Sequence, residues 1–130
     1  MKLWFDDSEI RGCPKGWVHA KSVEEAMEII GTGEVVEMSL DHDIERPAFG
    51  YAEGHIPDGT DLVNWMLGNL PIPKWPHTIR IHSMSARGAA NMDHLLMTKA
   101  PRFTEVIVVR YHSRMIDELS KGEENGPKKE

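Results

Sequence analysis

Only one cysteine, Cys13, stands in the 130-residue chain. An internal disulfide is excluded, and with it the cross-linked scaffold of small secreted domains. Long apolar runs are missing too. Nothing approaches the ~18 consecutive apolar residues that a membrane-spanning helix needs, so no membrane partner is expected. The start, MKLWFDD, sets acids directly after a very short apolar run. That is not the pattern of a secretory leader, and the cytoplasm is the expected compartment. Positive charge is scarce: 15 lysines and arginines stand against 21 acids, for a formal net charge of −6. No basic stripe offers a grip on duplex nucleic acid, so none is expected as a partner. A phosphate ligand is not excluded by this balance, because a metal ion or a few arginines invert the local field. No internal repeat is visible.

What is present suits one domain. Forty per cent of the residues are hydrophobic, enough for a single core in a chain of this length. Residues 2–6 read as a first strand, followed by a loop through Gly12, Pro14 and Gly16 and a short strand at 17–20. Ser22-Val23-Glu24-Glu25 has the form of a capping box at a helix start. Ala26, Met27, Ile29 and Ile30 supply that helix's apolar face, and Gly31 or Gly33 ends it. A third strand is expected over 35–40, then a long loop over 44–59, a length that in a compact domain usually serves function. Thr60 or Asp61 would cap a helix carrying Leu62, Val63, Trp65, Met66 and Leu67. A fourth strand is expected at 78–81, a helix at 88–99, a fifth strand at 105–110 and a short helix at 113–119. The polar residues 120–130 are expected to be a disordered tail behind a single domain of residues 1–119. Strands alternating with helices argue for an α/β three-layer sandwich around a five-stranded parallel sheet. The expected order is the flavodoxin-like 2-1-3-4-5. The first crossover is too short for a full helix, so that layer should be thinned.

In such open sheets ligands bind beyond the carboxyl ends of the strands, near the point where the order reverses. Strand 1 ends in Asp6-Asp7, strand 3 in Asp41-His42-Asp43, and strand 4 in His82-Ser83. Gathered carboxylates repel one another unless a cation or protons intervene. Asp6, Asp7, Asp41 and Asp43 are therefore the candidate metal ligands, with magnesium or manganese the best match and zinc compatible if imidazoles join. Each acid could equally serve as a helix cap or a solvated loop residue. His82, with Ser83 beside it, is a candidate for acid–base chemistry or ligation, and otherwise a structural histidine. Ser83, Ser85 and the first-turn amides of the helix that follows could hold a phosphate oxygen, and Arg87 adds a bidentate donor. The same segment would also make a plain N-cap with an arginine in solvent. Arg11 could reach the site or simply pair with its acids. The four tryptophans, Trp4, Trp17, Trp65 and Trp75, read as core.

The segments F-D-D at 5–7, R-G-C-P-K-G-W at 11–17, S-L-D-H-D at 39–43 and H-S-M-S-A-R-G-A-A-N-M at 82–92 resemble, in that order, the cyclic-phosphate processing receiver-like family, a compact relative of response-regulator receiver domains. The resemblance covers the chain to about residue 111. It implies a flavodoxin-like fold and a metal-dependent role on cyclic or nucleotide phosphates. Carried over by motif, it marks Asp6, Asp7, Arg11, Asp41, His42, Asp43, His82, Ser83, Gly88 and Asn91 as functional, with His42, His82 and Ser83 as catalytic candidates. Two extra residues separate Asp7 from Arg11, Ser85-Ala86 stands where the family tends to have Asn-Pro, and the chain lacks the lysine that a phosphorylated receiver carries at the end of strand 5, Arg110 being the nearest cation.

Three functions fit these residues. One is a metal-dependent phosphoesterase acting on a cyclic or nucleotide-type phosphate. The second is a module that binds a nucleotide without cleaving it. The third is a receiver-like interaction domain. The expected partner is a small phosphate-bearing ligand of nucleotide type, and a homo-oligomer is compatible with the sequence.

Overall fold

Five short strands make one fully parallel sheet in the computed structural model, which describes residues 1–8, 11–41, 58–83, 85–112 and 114–125. They are β1 (Lys2–Phe5), β2 (Trp17–Ala20), β3 (Glu37–Leu40), β4 (Thr78–Ile81) and β5 (Glu105–Val108), in the order β2-β1-β3-β4-β5. Among the described residues the helices are α1 (Val23–Ile30), α2 (Gly59–Asn69), α3 (Ala86–Lys99) and α4 (Met115–Asn125), with a 3-10 turn at Ile72–Lys74. The expected α/β sandwich and its strand order are thus present. Among the described residues no helix lies between β1 and β2, which is the thinned first crossover.

Side chains alternate across a strand, and here the alternation separates two chemistries. Leu3, Phe5, Met38, Leu40, Ile79 and Ile81 face one side, where they are buried under Val23, Ala26 and Ile30 of α1, Leu62 and Met66 of α2, and Met92 and Leu96 of α3. Each such burial stabilises the fold by roughly 1.5–3 kcal/mol before entropy is counted. The opposite face carries Trp4, Trp17, Ser39 and Arg80. Its apolar part is a small cluster of Trp4, Trp17 and Met115 of α4, with Cys13, Tyr111 and Leu119 against it. Trp4 and Trp17 meet edge to face at 6.0 Å, a favoured aromatic geometry. Trp75 is core as well, its indole N–H donating to the Leu70 carbonyl at 3.0 Å.

The helix ends explain several boundaries. Ser22 accepts from the Glu25 amide at 3.1 Å, while the Glu25 carboxylate accepts from the Lys21 amide at 2.7 Å. After α1 the chain turns through Gly33 at φ +81, where a Cβ would meet the Lys74 side chain at 3.0 Å. Lys74 in turn donates to the Gly31 carbonyl at 3.0 Å, so the turn and the 3-10 segment close on each other. The second helix is capped by Asp58 rather than by Thr60 or Asp61. Asp58 accepts from the Asp61 amide at 3.1 Å and the Asp61 carboxylate accepts from the Asp58 amide at 2.8 Å, a full capping box.

The last helix is longer than expected. Instead of ending at 119, α4 runs to Asn125, and residues 126–130 lie outside the described residues. Ser120 is the reason. Its hydroxyl donates to the Ile116 carbonyl at 2.7 Å and accepts from the Lys15 amide at 2.9 Å, tying the helix to the loop before β2.

Candidate functional site

The ladder of the sheet continues for one residue past three strands. Asp6 N–H donates to the Ala20 carbonyl, Asp41 N–H to that of Phe5, and His82 N–H to that of Leu40, at 3.1, 3.0 and 2.8 Å. These extensions keep the two-residue period. Asp6 follows Trp4 by two, Asp41 follows Ser39 by two and His82 follows Arg80 by two, so all three side chains emerge on the same polar face. Among the described residues no helix lies over that face between β1 and β2, yet all three side chains are buried.

His82 is fully buried there, and both ring nitrogens are engaged. Nε2 lies 3.1 Å from Asp6 Oδ2 and Nδ1 lies 2.7 Å from Ser39 Oγ. Burial pushes the imidazole below its ordinary pKa, and the neighbouring Asp6 only partly offsets this. The ring is therefore neutral. A carboxylate can only accept, so the single ring proton belongs on Nε2 and donates to Asp6, while Nδ1 accepts from the Ser39 hydroxyl. Trp4 stacks on the same ring, with centroids 4.1 Å apart and planes 6° from parallel.

Asp6 is the hub. Burial alone would raise its pKa. The hydrogen bond from His82, the Ser8 amide at 2.8 Å on Oδ1, and the positive Arg11 outweigh burial and hold the carboxyl below its ordinary range. Arg11 Nη1 lies 3.1 Å from Asp6 Oδ2 and 3.5 Å from Asp41 Oδ2, bridging strands β1 and β3. Its guanidinium also lies over the Tyr111 ring, 4.3 Å from the centroid. Carboxylate oxygens of Asp6, Asp7 and Asp41 all fall within 4.8 Å of one another. Cys13 is no nucleophile, since burial pushes its thiol up to about 11.

Beyond β4 the chain enters α3 through a second set of donors. The Ser83 hydroxyl accepts from the Ser85 amide at 3.0 Å, and Ser85, the N-cap, accepts from the Gly88 amide at 3.1 Å. The Ala86 and Arg87 amides have no partner among the described residues, which leaves the first turn able to receive an anion. Gly88 is buried. Arg87 and Asn91, about one helical turn apart, are exposed, and their side chains make no hydrogen bond among the described residues.

The structure thus gathers Asp6, Asp7, Asp41, His82 and Arg11 into one group, with Ser83, Ser85 and Gly88 at the neighbouring helix start. His42, Asp43 and the expected loop up to residue 57 lie outside the described residues. Ser39, Trp4 and Tyr111 were not singled out by sequence reasoning. Ser39 and Trp4 share a strand parity with Asp41 and Asp6, which is the signal that could have placed them. Tyr111 offers no local pattern of its own.

Oxygen ligands of this kind suit a hard divalent cation such as magnesium or manganese. No helix of the described residues is long and apolar enough to cross a membrane. Among the curated proteins no relative matches the chain. The model of the cyclic-phosphate processing receiver domain matches residues 1–98 of this chain, and with the parallel 2-1-3-4-5 sheet and its acidic carboxyl edge in place, the chain belongs to that family.

Proposed function

We propose that the protein is a metal-dependent phosphoesterase acting on a cyclic or nucleotide-type phosphate. The reading rests above all on one observation: three carboxylates from two neighbouring strands converge within 4.8 Å at the sheet's carboxyl edge. Asp6, Asp7 and Asp41 would hold magnesium or manganese. Such an ion supplies Lewis acidity toward a phosphoryl oxygen and toward water. The remaining roles fall to the chain itself. The Ser39–His82–Asp6 relay fixes the Asp6 carboxylate, much as outer partners orient metal ligands elsewhere. Arg11 neutralises charge between Asp6 and Asp41 and is near enough to turn toward a phosphate. Ser83, Ser85 and the open amides of Ala86 and Arg87 would hold phosphate oxygens. In this reading His82 is a positioning residue, because both of its nitrogens are engaged away from solvent.

The test is turnover. The protein with manganese or magnesium is incubated with a panel of cyclic and linear nucleotides, and products are separated chromatographically. Hydrolysis of at least one, lost in Asp41→Asn, is expected. No turnover of any nucleotide with either metal would overturn the reading.

One observation favours a second reading, in which the pocket binds its nucleotide without cleaving it. Fully buried His82 offers no exposed acid or base. A thermal shift on adding nucleotide, with all of it recovered unchanged, would support binding alone.

A further inference from the structure

Between α3 and β5 lies a cavity of about 380 Å³ that begins at Ser83 and continues away from the acidic cluster. Its volume falls in the range of small-ligand sites. Ala86, Ala89 and Ala90 line one wall and Val108 the other. Val108 is 49 % exposed although it sits on a sheet strand, because these alanines are too short to cover it. The polar groups are few and stand apart. Ser83, only 5 % exposed, lines one end. Its hydroxyl accepts from Ser85, and its own proton has no acceptor among the described residues. Arg110 lies at the same level, since Val109 N–H pairs with the Ile81 carbonyl, two residues before Ser83. Asp93 also lines the cavity, seven residues into the helix from Ala86, or roughly 10 Å along the axis at 1.5 Å per residue. Neither the Asp93 nor the Arg110 side chain makes a hydrogen bond or ion pair among the described residues.

We propose that this cavity is the base-binding half of the ligand site and that it takes the guanine of a guanine nucleotide. The inference rests on the phosphate-binding role assigned above to Ser83 and the start of α3. With a phosphate there and Arg110 beside it, the sugar and base extend along the alanine wall toward Asp93. An ionised carboxylate only accepts hydrogen bonds. Guanine presents two adjacent donors, N1–H and the N2 amino group, which one carboxylate receives side by side. Adenine and cytosine present an amino group next to a ring nitrogen lone pair, which the carboxylate would repel. Uracil offers a single N–H between two carbonyls. The alanines leave room for a flat purine and contribute apolar contact without side-chain ordering.

Isothermal titration of the full chain with GMP, AMP, guanosine and inorganic phosphate, in manganese buffer, tests this. GMP is expected to bind at least about tenfold more tightly than AMP or phosphate, the scale of one charge-assisted hydrogen-bonded contact. Asp93→Asn should lose on the order of tenfold for GMP and nothing for phosphate. Ala90→Trp, a change at an exposed position, should fill the cavity and reduce GMP to the affinity of phosphate. Equal binding of GMP and phosphate, or GMP binding unmoved by both variants, overturns the base site and leaves the phosphate site standing. If neither phosphate nor any nucleotide binds, both fail together.

Discussion

At the scale of single residues the site is governed by two buried groups whose proton affinities shift in the same direction. His82 is neutral because burial disfavours its charged form, and Asp6 is ionised because His82, Ser8 and Arg11 outweigh its burial. For both groups the folded pKa lies below the unfolded one. The unfolded chain therefore binds more protons as acid is added, and the stability these groups contribute is present above the unfolded values. For His82 it begins to drain below its ordinary value of 6.5, and for Asp6 below 3.8. In chelator-treated protein, urea unfolding should give falling stability from pH 7.5 to 5. His82→Gln should be less stable at pH 7.5 yet show a flatter slope over that window. A slope as steep as wild type in His82→Gln would show that another group titrates.

Arg11 makes a different residue-scale claim. Its guanidinium stands on the oxygens of Asp6 and Asp41 that a divalent ion would use, so the two cations compete. Arg11→Gln should therefore bind manganese at least as tightly as wild type while binding inorganic phosphate more weakly, both read by titration calorimetry. Manganese binding weakened by this substitution would mean that Arg11 organises the acids rather than competing for them. The sequence displayed all of these charges but not their pairing. Asp6, Asp41 and His82 could be placed from strand ends, whereas Tyr111 under Arg11 depends on how the chain leaves β5.

Among the elements, caps were partly legible. Ser22 and Glu25 stood at box spacing and do cap α1, although Glu25 reaches the Lys21 amide. For α2 the residues between Pro57 and Leu62 offered several acceptors, and the choice of Asp58 depends on Asp61 returning the bond. Asp58→Ala should cost about 1 kcal/mol of stability in urea unfolding, because the Asp61 amide loses its acceptor. A loss under a few tenths of a kcal/mol would show that water replaces the cap. The reach of α4 past 119 is not legible in the sequence, because composition alone cannot register a tertiary tie such as Ser120 to Lys15.

For the molecule as a whole, the consequence of the short first crossover is larger than a missing layer. A parallel sheet ordinarily needs apolar side chains on both faces. Here one face is conventional, while the other is covered by α4 and by the loop between β1 and β2. That face carries Asp6, Ser39, Asp41 and His82, all buried. The alternation of strands and helices made the sheet order legible, and the acids and histidines at three strand ends made the edge legible. That β1 and β3 bring their acids within reach of a single ion is a property of register: Phe5 is paired with Leu40, which sets Asp6 beside Asp41. Titration of the chelator-treated protein with manganese, followed by the loss of the free-ion paramagnetic resonance signal, tests this most directly. Expected is one ion per chain, with affinity at least about tenfold weaker in an Asp41→Asn variant that keeps the wild-type circular dichroism. Absence of binding in the wild type, or equal binding in Asp41→Asn, would contradict it.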